Sequence, residues 1–80
     1  MRVINIVETE NNIVLGVESF GIYEDQDSDD VVEKAEDLFL SKIRENGFIS
    51  EDMDEINNIL DDGYWCNESD YSTNIIWSEI

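Results

Sequence analysis

The side chains with the strongest chemical pattern in this 80-residue chain are carboxylates. Asp25, Asp27 and Asp29 stand at positions 1, 3 and 5 of a twelve-residue window whose ninth and twelfth positions are Glu33 and Glu36. An EF-hand calcium loop needs that alternation of oxygen ligands, closed by a bidentate Glu, and Val32 at the eighth position fits its hydrophobic slot. Two features argue against it: Asp30 stands at the sixth position, where the sharp turn needs Gly, and the preceding residues read as strand instead of helix. Asp25, Asp27, Asp29 and Glu36 therefore form an alternative metal set, set against a solvated loop that caps a helix. Paired carboxylates also serve as acid and base in glycoside cleavage, but only at a set separation in a shaped pocket. With 21 Asp plus Glu in so short a chain, such pairs arise by chance. Cys66 is the sole cysteine and there is no His, which excludes an intrachain disulfide and a zinc set. Its neighbours Asn67, Glu68 and Asp70 include no base or cation of the kind that activates a thiolate, so it reads as a semi-buried thiol beside Trp65, not a nucleophile. Ser19, Ser41, Ser50 and Ser69 lack a His and a nucleophile elbow. Asn67-Glu68-Ser69 matches a glycosylation sequon, incidental without a secretion signal. The expectation is a non-catalytic protein without a cofactor.

Charge points elsewhere. Four Lys plus Arg against 21 Asp plus Glu give a formal charge of −17. Solubility of a small domain ordinarily needs a magnitude of only about 2–8. From Glu45 to Ile80 there are ten acids and no base. A halophile would be Ala-rich and Ile-poor, whereas this chain has one Ala and eleven Ile. Direct binding to DNA, RNA or anionic lipid is disfavoured, because every phosphate would be repelled. The expected partner is a basic protein.

Hydrophobic residues make up 41% of the chain and eight are aromatic, so it should fold as a single domain over residues 1–80. No run approaches the roughly 18 apolar residues of a membrane span, and no signal-peptide run follows Met1, so the expected location is the cytoplasm. Residues 2–8 are rich in β-branched side chains and end in turn formers at 9–12. Residues 13–23 resume an alternating pattern, with Gly16 and Gly21 as candidate bulge positions, and the two runs suggest a hairpin. Val31, Val32, Ala35, Leu38, Phe39 and Ile43 recur at three and four, which predicts a helix over 31–45 that stops at Asn46-Gly47. A second helix is expected from Ser50 as N-cap, through Met53, Ile56, Ile59 and Leu60, to Gly63. After a polar loop, residues 72–78 favour a third strand. The expected fold is α+β, ordered β-β-α-α-β, with two helices packed on one face of a small antiparallel sheet of about three strands.

On that scaffold Glu51, Asp54, Glu55, Asp61 and Asp62 occupy the side of the second helix opposite its apolar stripe. Glu51 with Glu55, and Glu33 with Asp37 on the first helix, are like-charge i,i+4 pairs, each costing about 0.2–0.5 kcal/mol where a Lys would stabilise. Length, charge, the absence of bases after Arg44 and the acidic runs Glu24–Asp30 and Glu51–Asp62 together resemble the small acidic inhibitors of bacteriophages and mobile elements. These are the DNA-mimic proteins, including some anti-CRISPR and anti-restriction proteins. That resemblance implies stoichiometric inhibition of a basic nucleic-acid-binding protein such as a CRISPR effector, a restriction enzyme or another nuclease. The alternatives are an immunity protein or antitoxin neutralising a nuclease toxin, and a calcium-binding acidic protein. Candidate partner contacts are Asp54, Glu55, Asp61 and Asp62, then Asp25, Asp27, Asp29 and Asp30, with Glu51, Glu33 and Asp37 beside them. Tyr64, Trp65 and Tyr71 are candidate exposed aromatics, whereas Trp77 and Ile75 are expected to face the core.

Overall fold

The computed structural model describes residues 1–23 and 27–79. Strand β1 (Arg2–Glu10) turns at Asn11-Asn12 into β2 (Ile13–Ile22). Both asparagines hold left-handed backbone, φ 53° and 66°, the geometry of a tight hairpin that Asn tolerates better than other side chains. A register shift between Glu8 and Thr9 leaves Leu15 without an opposite residue, so the bulge falls beside Gly16 while Gly21 pairs regularly with Val3. Helix α1 (Ser28–Glu45) and helix α2 (Met53–Asp62) follow, and then β3 (Tyr64–Cys66) and β4 (Tyr71–Glu79). The sheet is wholly antiparallel in the order β2-β1-β4-β3.

The α+β architecture is as expected, with one additional strand. Tyr64–Cys66, expected to lead into a polar loop, forms the short edge β3 against Ser72–Asn74. Three residues are too few for a period-2 pattern to stand out. Helix α1 begins three residues earlier than the apolar repeat, because Asp27 caps it and Asp29 and Asp30 sit favourably at its positive end. The N-cap of α2 is Asp52 and not Ser50: Asp52 accepts from the Asp54 N–H at 2.9 Å, while the Ser50 hydroxyl accepts from the Asp52 N–H at 3.2 Å. Gly63 ends α2 in the left-handed region at φ 66°, its N–H bonded to the Ile59 carbonyl.

Both helices pack on the same side of the sheet. Ile4, Ile6 and Ile22, which share one strand parity, form a buried cluster with Ala35, Phe39 and Ile43 of α1, Phe48, and Ile56 of α2. Helix α1 lies over β1, β2 and β4, whereas α2 reaches over the β3 edge.

One inward position on β1 is charged. Glu8 lies in the same cross-strand row as Thr73 and Trp65, and its carboxylate is four-fifths buried. Lys42 of α1 donates to Glu8 Oε1 at 2.6 Å and lies 3.7 Å from Glu18; the Tyr71 hydroxyl donates to Glu8 Oε2 at 2.5 Å and accepts from Thr73 at 2.8 Å. Burial pushes the Glu8 carboxyl up, but the hydrogen bonds from Lys42 and Tyr71 and the Lys42 charge outweigh it and hold it below its ordinary value. Burial, with the bond to Glu8, raises the Tyr71 phenol to about 12. Glu8→Gln removes a negative charge from a strongly anionic protein, yet it leaves the Lys42 ammonium poorly matched under α1. Urea unfolding at pH 7 should therefore show a loss of about 2 kcal/mol. A depressed carboxylate stabilises above its unfolded value and loses that contribution as pH falls through the folded one, so the gap between wild type and variant should narrow below the ordinary carboxylate value of 4.5. At the alkaline end the raised Tyr71 works oppositely: stability should fall as pH climbs from 10 towards about 12, a slope that Tyr71→Phe reduces and to which Lys42, held up by its bond to Glu8, also contributes.

Candidate functional site

Helix geometry sorts the candidate carboxylates into those that serve the fold and those that do not. Asp27 is occupied in capping α1, its Oδ1 accepting from the Asp29 N–H at 3.0 Å. Asp29 and Asp30 in the first turn of α1, like Asp54 and Glu55 in that of α2, are exposed and complement the positive helix end. Asp61 and Asp62 lie at the opposite end of α2, where the peptide dipole is negative and no base is present. At about 100° per residue, Asp54 aligns with Asp61 and Glu55 with Asp62, giving two exposed acidic rows of about 10 Å on α2. Glu33 and Asp37 are exposed on α1, and Glu51 is exposed just before α2.

The four bases do little to neutralise these groups. Lys42 is engaged with Glu8 and Glu18 and Arg2 lies over the Trp77 ring at 4.6 Å, while Lys34 and Arg44 are exposed on α1. Among the described residues, no carboxylate of α1 or α2 forms an ion pair. The two helices present their own junction of acids: Glu36 and Asp61 line a cleft of about 230 Å³ with Val32, Ala35, Leu60, Ile75 and Trp77. Burial, followed by the charges of Asp37, Asp61 and Glu33, raises the Glu36 carboxyl above its ordinary value.

Several expected site residues are placed differently. Ser28 to Glu36 of the calcium-loop window are helical, so Asp29, Glu33 and Glu36 project from α1 and not from a ligand-wrapping loop; Asp25 lies outside the described residues. No group of three or more His, Cys, Asp or Glu among the described residues is arranged to hold a metal ion. Trp65 is half-buried, packed edge-on against Phe48 at 6.0 Å, and Tyr71 is buried because its hydroxyl has Glu8 and Thr73 as partners. Tyr64 is exposed, as expected. Cys66 is exposed instead of semi-buried, since it shares the Tyr64 parity, opposite to Trp65. Trp77 shares the Ile4 parity and faces the helix side as expected, lining the cleft with Val32, Ala35 and Leu60, but it stays 45% exposed.

Sequence reasoning missed the Glu36–Asp61 cleft and the Glu8 network. A signal for the second existed, since Glu8 follows Ile4 and Ile6 on the inward parity of β1.

The chain is thus an α+β protein with a four-stranded antiparallel sheet and two helices on one face, carrying an unpaired acidic surface. Comparison with family models, curated proteins and solved structures found no match to it. No helix among the described residues is long and apolar enough to cross a membrane.

The acids at the end of α2 oppose helix stability. Asp62→Lys should stabilise the protein by about 0.5–1 kcal/mol by reversing an unfavourable dipole contact, read as a higher urea midpoint. An unchanged or lower midpoint would mean that Asp62 has a stabilising contact which the geometry does not explain.

Proposed function

We propose that this protein is a non-catalytic acidic inhibitor that occupies the basic nucleic-acid-binding surface of a protein target. It would act as a DNA mimic of the kind phages and mobile elements direct against CRISPR effectors, restriction enzymes and other nucleases. In that role it works in the host cytoplasm and binds no nucleic acid itself.

One observation carries the reading: among the described residues the exposed carboxylates of α1 and α2 form no ion pair, and α2 ends on Asp61-Asp62 with no base in its last turn. Duplex DNA carries about one charge per 1.7 Å of axis, and a surface of fixed carboxylates meets the same cationic groove without bringing a base sequence. Asp54, Glu55, Asp61 and Asp62 on α2 form the leading contact face, with Asp29, Asp30, Glu33 and Asp37 of α1 as a second acidic surface. Asp27 is engaged as a cap, so its contribution is to the field more than to a contact.

The test is capture of the target from a host lysate on immobilised protein, followed by challenge with duplex DNA and with RNA. Competition predicts that one of the two polymers releases the target. Asp54→Lys/Glu55→Lys should weaken capture at low salt by about tenfold or more, mainly through slower association, with the far-ultraviolet spectrum unchanged. A target that holds this protein and its nucleic acid together would contradict the reading, as would undiminished affinity of the double variant.

A further inference from the structure

The cleft between α1, α2 and β4 combines features that the open acidic faces lack. Its apolar lining comes from Ile4 of β1, Val32 and Ala35 of α1, Leu60 of α2, and Ile75 and Trp77 of β4. Two carboxylates, Glu36 and Asp61, line the same space, and no Lys or Arg does. At about 230 Å³ it is smaller than the roughly 300–1,000 Å³ of small-molecule sites. The indole of Trp77 already binds a guanidinium, because Arg2 lies 4.6 Å from its ring centroid, in a separate depression formed with Ser78 and Glu79.

We propose that this cleft receives a single arginine side chain of the basic partner, with its aliphatic stem on Val32, Leu60 and Ile75 and its guanidinium between Glu36, Asp61 and the Trp77 ring. Charge complementarity selects the occupant: an anionic or neutral apolar group would leave two adjacent carboxylates facing low-dielectric walls, whereas a guanidinium satisfies both and stacks on the indole. Burial first, and then the charges of Asp37, Asp61 and Glu33, raise the Glu36 carboxyl, and the charge part of that cost is what a guanidinium would relieve. A stem of three methylenes suits the apolar walls, as long cationic side chains elsewhere cover apolar surface while their heads stay polar. The proposal rests on the inhibitor reading for its partner, but the site can be tested without that partner.

The probe is N-acetyl-arginine amide, titrated into the intact protein and followed by amide and indole NMR shifts, with the lysine and norleucine analogues in parallel. The arginine probe should shift Val32, Glu36, Leu60, Asp61 and the Trp77 indole N–H, the lysine analogue should bind more weakly, and the norleucine analogue should shift none of them. Glu36→Gln/Asp61→Asn should weaken arginine binding about fivefold. Its melting temperature should not fall, because it removes like-charge repulsion. Asp54→Asn/Glu55→Asn, which removes the same charge at the far end of α2, should change binding by less than about twofold after screening. Shifts as large at Asp54, Glu55 and Asp62 as in the cleft, equal binding of norleucine, or equal weakening by both double variants would overturn the site. Cleft binding with no nucleic-acid competition at the captured target would overturn the mimicry and leave the cleft standing. Nucleic-acid competition without cleft binding would do the reverse.

Discussion

Mutual repulsion of carboxylates is the constraint that shapes this molecule. A charge of −17 on 80 residues opposes any compact state, and it can be tolerated only if the acids remain in water while a small apolar core holds the chain together. The fold meets that condition by stacking two amphipathic helices on one side of a sheet. Ile4, Ile6, Phe39, Ile43 and Ile56 meet in the middle, and the helix acids turn outwards. The inward exception, Glu8, is admitted because Lys42, Tyr71 and Thr73 surround it with hydrogen bonds, and those bonds also tie α1 to β1 and β4. Among the described residues no buried side-chain polar atom lacks a partner, so the cost of polarity is met inside and the unpaired charge is all at the surface.

Where that surface charge lies is informative. Acids at helix starts have an ordinary explanation in capping and the dipole, and Asp27, Asp29, Asp52 and Asp54 fit it. Asp61 and Asp62 face the negative end of the α2 dipole, and Glu36 is partly buried beside like charges; capping explains none of the three. Under the proposed function, such a surface is matched to an external cation. That is the physical content of the inhibitor reading, and the proposed arginine site in the cleft would make the match specific to one side chain.

Periodicity made most of the architecture legible. The three-and-four spacing from Val31 to Ile43 marked α1, Gly63 marked the end of α2, and β-branched runs marked β1, β2 and β4. The particular caps, Asp27 of α1 and Asp52 of α2, were not legible, because several neighbouring Ser and Asp residues satisfy the same cap rules. Strand β3 has three residues and draws its identity from pairing with β4, which sequence spacing does not display. Aromatic burial was legible least: Tyr71 is inside because its hydroxyl meets Glu8 across the sheet, and Trp77, on the helix side near the end of β4, lines the cleft beside α1 and α2 without being closed over by them. Both facts depend on contacts about 40 to 70 residues apart in sequence. The acidic faces of α2 were readable from the helical repeat alone, whereas the junction of Glu36 with Asp61 required the relative placement of two helices.

The central claim is that unpaired surface carboxylates drive recognition of a cationic target. The most direct measurement is the association rate constant with the captured target as a function of ionic strength. Electrostatic recognition predicts a steep fall of that rate between low and physiological salt, with dissociation changing much less. A rate indifferent to salt, with affinity held by apolar contact, would contradict the account.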